Sequence, residues 1–584
     1  MERGRKQPRD CPNTVTPARL EWSESDPPLE PEVRARIFGP GAPFELRREV
    51  VLGRDVQVFV QRPSELGALL RLPAREDRFL VFRDQAELTY GETVDRVSGL
   101  AATLHDEHGI RPGDRIAVAS ANSLEYALAY WAVVAIGAVA VGLNGWWAPP
   151  ELAHGIELTD PALVLADEPR LERLGRAAIG AEPLSAVVDA AQAGGELPSG
   201  LAAEDDPAIV MFTSGTTGRP KGATVSHRNL IHATQTSALK GVLGAAQFGL
   251  DPFATRGSVM LVVGPLFHIS GTISLFGAPW TAGTVVFPPP GRWDEGRHLE
   301  LTERYGVQGW SAVPTHYWRI LEHADFDRTD LSSLRTASSG GTVFPPALVQ
   351  VFQARLPDVV LSNGYGMTET CGLGTIASGP VVLDHADSVG PAWPTYQIEV
   401  RDLDGQVLGP DEVGEVHIRS ASVFLGYWGN PEATAATVDA EGWYHTGDFG
   451  VIADGLLRLE SRMRDLIIRG GENIYPPEIE NRLIEHPDIA ECAVVGVPHH
   501  TLGQEVKAFV VPRDGADLSV EDVQAWVADV LAPFKVPAHV EFRRSLPHTE
   551  TGKIMKHRLE EVPLTGPGVM GPAWPGGGPA AGSV

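Results

Sequence analysis

Between Tyr126 and Pro150 the chain carries no charged residue. The stretch YALAYWAVVAIGAVAVGL inside it is long enough to cross a bilayer, so its placement decides what the rest of the chain can become. Ala and Gly dominate it, and Gly137 divides it into a helical piece followed by the run Ala138–Val141, which alternates with β-branched Val. A buried helix feeding a buried strand accounts for that division better than a membrane span does. The segment is read as the middle of a core that is covered on all sides.

The surroundings agree with a doubly covered core. Short apolar strands alternate with amphipathic segments: Arg115–Ala119, Ala162–Ala166, Ala208–Phe212 and Ser258–Val263 are the clearest strands. That alternation predicts an α/β fold with mainly parallel sheets. A chain of 584 residues is too long for one core. A second pattern begins near residue 464, with helices expected at Glu478–Glu485 and Val520–Leu531 and strands at Ile489–Val497 and Val506–Pro512. The expected layout is a poorly ordered extension over 1–45, a large multi-subdomain N-terminal domain over 46–460 and a hinge over 461–466. A small mobile α+β C-terminal domain follows over 467–563, then a Gly/Pro-rich tail over 564–584.

The net charge is −27. Such a field repels nucleic acid and anionic membrane surfaces, so any site for a polyanion has to be built locally. The three cysteines, Cys11, Cys371 and Cys492, stand far apart and form no CxxC pair. They read as free thiols in a reducing, cytoplasmic setting, with neither disulfide framework nor zinc site implied. Cys371 reads as a packing residue. The basic, polar N-terminus has no apolar run behind it and is not a secretory signal.

The local polyanion site announces itself where Ala208–Phe212 runs into TSGTTGRPKG, Thr213 to Gly222. Glycines free backbone N–H groups to turn toward phosphate oxygens; Thr213, Ser214, Thr216 and Thr217 add hydroxyl donors, and Lys221 adds charge. This is not a GxxxxGK[ST] loop opening a helix. Pro220 biases Arg219 away from helix, and Ala223-Thr224-Val225 favours a strand. Lysine is scarce here: Lys6, Lys221, Lys240, Lys507, Lys535, Lys553 and Lys556 are all there are.

This loop resembles the signature of the adenylate-forming superfamily, which includes acyl-CoA synthetases, luciferases and peptide-synthetase adenylation domains. Further motifs of that family follow in order, and the resemblance covers roughly residues 50 to 562. It implies that Thr213, Ser214, Gly215, Thr216, Thr217, Gly218 and Lys221 hold ATP phosphates. PLFHISG (Pro265–Gly271) resembles the acyl-pocket segment and points to His268. SSGG (Ser338–Gly341) resembles a strand end near adenine, where Gly340 and Gly341 admit a flat ring; Ser339, Gly341 and Gly372 would border the acyl group. NGYGMTET (Asn363–Thr370) implies Asn363 at the polar edge of adenine, with Gly364 beside it and Tyr365 stacked on the ring. Thr368 would bond the α-phosphate and Glu369 would hold Mg²⁺, for which a carboxylate is a suitable hard ligand.

Four further resemblances complete the series. YHTGDFG (Tyr444–Gly450) implies Asp448 as acceptor for the ribose diol, an apt task for a carboxylate. The family's Gly-Arg pair reads Ser461-Arg462 here, so Arg462 keeps its ribose role in an altered backbone context. Arg464 stands at the hinge position, where the family often has Asp or Lys. IIRGGENIYPPEIE (Ile467–Glu480) resembles the acyl-CoA synthetase form, with Gly470 and Gly471 bordering the tunnel for coenzyme A. PHTETGKIMK (Pro547–Lys556) puts Lys553 where the family has its catalytic lysine.

The resemblance implies an AMP-forming acid–thiol ligase. A carboxylate attacks the α-phosphorus of Mg·ATP to give acyl-AMP and pyrophosphate, and coenzyme A then takes the acyl group. No protein nucleophile is needed. A medium- or long-chain fatty acid is the first expectation for the acid, with aryl and alicyclic acids as alternatives. Other readings are a ligase loading a separate carrier protein, a luciferase-type oxygenase and a non-catalytic nucleotide-binding regulator. Oligomeric state is not legible.

Overall fold

The computed structural model describes residues 18–21, 29–83, 85–176, 179–213, 220–247, 249, 251–253, 256–291, 293–340, 343–462, 465–469, 472–499, 502–548 and 554–560. The uncharged stretch forms the helix Leu124–Ala135 and the strand Val139–Leu143. The Ser123 side chain caps the helix by accepting from the Tyr126 N–H at 3.2 Å. Gly137, at φ +70°, makes the turn between them, and a Cβ there would stand 2.8 Å from the Leu201 carbonyl oxygen. Every residue from Tyr126 to Ala135 is buried. Among the described residues no helix is long and apolar enough to cross a membrane.

Two large sheets carry the N-terminal region. In one, the strands Pro207–Thr213, Val139–Leu143, Arg115–Ala119 and Leu163–Ala166 run parallel side by side, and Lys221–Ser226 pairs antiparallel with Pro207–Thr213. In the other, Val360–Tyr365, Thr336–Gly340, Gly309–Ala312, Val259–Val262, Thr284–Phe287 and Arg78–Phe82 are parallel. Antiparallel strands close its edges, Thr375–Ser378 at one side and Ala86–Thr89 at the other. Helices cover both sheets, which is why their strands read as nearly unbroken apolar runs. An antiparallel sheet adds Tyr396–Arg401, Gly414–Ser420, Tyr444–Ala453 and Leu456–Arg462. The small domain packs the helices Pro476–Ile484 and Val520–Ala528 on the long hairpin Ile489–His499 and Gly503–Pro512.

Two expectations about the ends of the large domain need correction. The extension over 1–45 contains structure: Arg19–Glu21 joins the antiparallel sheet beside Tyr396–Arg401, held by an ion pair between Arg19 and Glu399. Helix Pro31–Phe38 begins with proline at its first turn and buries Ile37 among Phe44, Phe59 and Leu239. Ser461 and Arg462, expected in a hinge, instead pair in register with Phe449 and Asp448 as strand residues. Arg464 and the 564–584 tail lie outside the described residues.

Candidate active site

The parallel strands Thr336–Gly340 and Val360–Tyr365 end side by side, with Ser339 opposite Asn363 and Gly340 opposite Gly364. Carboxyl ends of parallel strands are where such folds bind ligands. Asn363 is 1% exposed. Its Oδ1 accepts from the Phe344 N–H at 3.0 Å, whereas its Nδ2 has no hydrogen-bond partner among the described residues. A buried amide donor without a partner costs about 1–3 kcal/mol unless a ligand supplies an acceptor. Beside it, a Cβ on Gly340 would meet nothing within 4 Å, and one on Gly364 only the Ser339 carbonyl oxygen at 3.9 Å. An open glycine floor beside an unpaired amide donor suits a flat heteroaromatic ring.

The sequence NGYGMTET then turns back on itself. Gly366 packs so closely on the Gly372–Leu373 backbone that a Cβ would stand 2.4 Å from the Leu373 nitrogen. Thr368–Thr370 forms a single 3₁₀ turn, after which Cys371 and Gly372 take positive φ values of 54° and 81°. Cys371 is fully buried, and burial pushes its thiol well up, so it packs and does not react.

Two hydroxyl–carboxylate pairs fix the polar half of the site. The Tyr365 hydroxyl donates to Asp448 Oδ2 at 2.8 Å. Asp448 follows the turn at Gly447 (φ +68°), its N–H is accepted by Thr446 Oγ1 at 3.0 Å, and it faces Arg462 across the strand pair. The Tyr427 hydroxyl donates to Glu369 Oε1 at 2.8 Å, and Lys221 Nζ sits 4.9 Å from the centre of the Tyr427 ring. Burial, then the Glu369 charge, drives the Tyr427 hydroxyl far above its ordinary range, so it stays a donor. Thr368 and Glu369 are both 7% exposed.

Tyr427 is a site residue that sequence reasoning missed. It reaches Glu369 because Gly426–Tyr427 pairs with Ala223 and Thr224 as the outer strand beside Lys221–Ser226. The Trp428 N–H to the Gly222 carbonyl (2.7 Å) and the Phe424 N–H to the Glu369 carbonyl (2.9 Å) hold it there. The only signal in the chain is the aromatic-glycine run FLGYWG, Phe424–Gly429.

At the segment expected to line the acyl pocket, His268 caps the helix Ile269–Gly277 through its Nδ1, which accepts from the Ser270 N–H at 3.3 Å. A Cβ on Gly372 would lie 3.2 Å from Ile269 Cγ1, so the Gly372 turn abuts the helix that His268 begins. Asn122, also missed, positions this segment: Nδ2 donates to the Gly264 carbonyl at 2.9 Å and Oδ1 accepts from the Leu266 N–H at 2.8 Å. Ser339 is buried at the neighbouring strand end.

Thr213 and Lys221 are register partners at the mouth of a hairpin. Ser214, Gly215, Thr216, Thr217 and Gly218 lie outside the described residues, as do Gly341, Gly470, Gly471 and Lys553. The bridge between His548 and Ile554 brackets the segment that carries Lys553, and Lys556 Nζ is anchored to Glu480 at 2.7 Å.

The open floor gives a testable consequence. Gly364→Ala has room to fold, but its methyl group intrudes on the space proposed for the ring. Overpacking of about 1–3 kcal/mol predicts ATP binding weakened about 10-fold with an unchanged melting temperature, read by titration calorimetry and thermal unfolding.

The family model described as AMP-binding enzyme matches residues 72–428, and the AMP-binding enzyme C-terminal domain matches residues 478–553. A feruloyl-CoA synthase from Amycolatopsis sp is 37% identical over 484 residues, covering 80% of this chain and 92% of that protein. The long-chain-fatty-acid–CoA ligase FadD13 of Mycobacterium tuberculosis is 31% identical, over 81% of this chain and 93% of that one. Among solved structures, o-succinylbenzoate CoA synthetase from Bacillus subtilis, in complex with its acyl-adenylate intermediate, superposes with a TM-score of 0.76 at 27% identity. That match covers 86% of this chain and 99% of the other.

Proposed function

The chain belongs to the AMP-binding enzyme family, in its acyl-CoA synthetase branch, and from that premise we propose how its own residues run an AMP-forming acid–thiol ligation. The observation that carries the proposal is the pair of buried contacts Tyr365–Asp448 and Tyr427–Glu369 beside Lys221, next to an open glycine floor.

Adenine lies on Gly340, Gly341 and Gly364, stacked by Tyr365, with Asn363 Nδ2 donating to its edge. Asp448 and Arg462 take the ribose hydroxyls. The hydroxyls and N–H groups of Thr213–Gly218, with Lys221, hold the phosphates, and Thr368 donates to the α-phosphate. Glu369 suits Mg²⁺, which when bound shields phosphate charge as pyrophosphate leaves.

One carboxylate oxygen of the acid attacks the α-phosphorus, and the α–β bridging bond breaks. Lys553 balances the charge that builds between the two reactants. After the small domain turns about Arg464, Gly470 and Gly471 border the coenzyme A arm. The thiolate attacks the acyl carbon, AMP leaves with the bond electrons, and the thiol proton goes to solvent.

For the acid, the reading is a hydrophobic carboxylate with a ring. Supporting it are the 37% match to a feruloyl-CoA synthase and the fold match to an o-succinylbenzoate enzyme. The Gly372 turn lies against Ile269, the first residue of the helix that His268 caps, and an open pocket there would suit a broad flat group. A long-chain fatty acid is the second reading, favoured by the match to FadD13. Mass-spectrometric detection of acyl-CoA across cinnamic, ring-bearing and long-chain acids separates them. Preferred turnover of cinnamic or ring-bearing acids is expected, and exclusive turnover of long-chain acids contradicts the first reading.

A further inference from the structure

Away from the nucleotide contacts, Glu415, His417 and His445 meet on one side of the antiparallel sheet. The sheet itself builds the cluster. His417 and His445 are direct partners across Gly414–Ser420 and Tyr444–Ala453, and Glu415 precedes His417 by two residues. Their ring centroids are 4.3 Å apart, His417 Nε2 is 3.5 Å from Glu415 Oε2, and one ligand atom from each residue lies within 4.8 Å of the others. His417 is 3% exposed and its Nδ1 has no hydrogen-bond partner among the described residues, while His445 is 36% exposed and opens the cluster to solvent.

A buried imidazole facing a second imidazole and a carboxylate is an odd choice for a strand interior, and it is explained if the three side chains are ligands. We propose that Glu415, His417 and His445 form a binding site for a zinc-class divalent transition metal ion, distinct from the magnesium that accompanies ATP.

The donor set decides the metal class. Two imidazoles and one carboxylate suit Zn²⁺ or Co²⁺, whereas Mg²⁺ prefers oxygen ligands and retains its water. Ligand atoms around a tetrahedral ion at about 2.0–2.1 Å stand about 3.3 Å apart. Small side-chain rotations close the cluster to that spacing. Water would supply the fourth position, since Asp439, 3.9 Å from His445 Nε2, is already paired with Arg401 at 3.3 Å.

The ion would clasp the strand that carries Asp448. Glu415 Oε1 accepts from the Gly447 N–H at 3.0 Å, one residue before Asp448. The metal thus stiffens the turn that presents Asp448 without touching it.

The test uses the full chain, freed of metal with a chelator and then titrated with Zn²⁺ alone against a chromophoric chelator, with millimolar Mg²⁺ present throughout. One zinc per chain is expected, with an unfolding midpoint raised by a few degrees. Glu415→Gln and His445→Asn should each weaken binding at least about 10-fold while unfolding cooperatively in the metal-free state. Binding that both variants leave unchanged, or none at micromolar zinc, overturns the site. X-ray absorption of the zinc-loaded wild type is independent of how the variants fold. Two imidazoles with oxygen are expected; sulfur ligands or a hydrated octahedral ion refute the assignment.

Discussion

Glu369→Gln lowers acid-dependent ATP turnover by about 10²–10³ and melts within a few degrees of wild type. The glutamine keeps an oxygen where the Tyr427 hydroxyl donates at 2.8 Å, so the buried contact survives. What disappears is the charge, and with it a hard anionic ligand for Mg²⁺ where pyrophosphate departs. Glu369→Ala loses the charge and also removes the acceptor of the Tyr427 hydroxyl, at a cost of about 1 kcal/mol in stability. Comparing the two in steady-state kinetics and thermal unfolding separates chemistry from folding. A Gln variant within tenfold of wild type removes Glu369 from the mechanism.

Lys553→Ala should split the two half-reactions. Formation of acyl-AMP loses about 10²–10³, the typical worth of one preorganised charge at the reacting centre. Transfer of the acyl group from synthetic acyl-AMP to coenzyme A stays within a few-fold if, as proposed, the small domain has carried Lys553 away in that step. Lys553→Arg does not restore the first step, since a planar fork cannot replace a compact ammonium between two oxygens. Equal losses in both steps would make Lys553 a structural residue.

The parts of the molecule legible in its sequence are those whose cause is local. The helix–strand unit around Gly137 follows from composition and one glycine, and Leu124–Ala135 with Val139–Leu143 appears where expected. Strand Arg115–Ala119 matches to the residue. Some motif residues from distant segments also meet: Tyr365 touches Asp448, and Glu369 and Lys221 both reach Tyr427.

What was missed depends on distant pairing. Arg19–Glu21 is three residues long, too short for any periodicity, and becomes a strand only because Gln397–Glu399 offers its edge. Tyr427 and Asn122 have no distinctive local signal. Tyr427 acts through strand pairing with residues about 200 positions away, and Asn122 through both polar atoms of one amide clamping Gly264 and Leu266. Ser461 and Arg462 belong to a strand that is polar and charged at its end, which in sequence looks like a linker.

The most direct test of the account is acid-dependent exchange of labelled pyrophosphate into ATP, without coenzyme A, across ring-bearing and long-chain acids. Adenylation on this site predicts exchange that requires an acid, requires Mg²⁺ and falls about 10²–10³-fold in Glu369→Gln. Tight ATP binding with no exchange for any acid, or exchange that persists undiminished in Glu369→Gln, would contradict it.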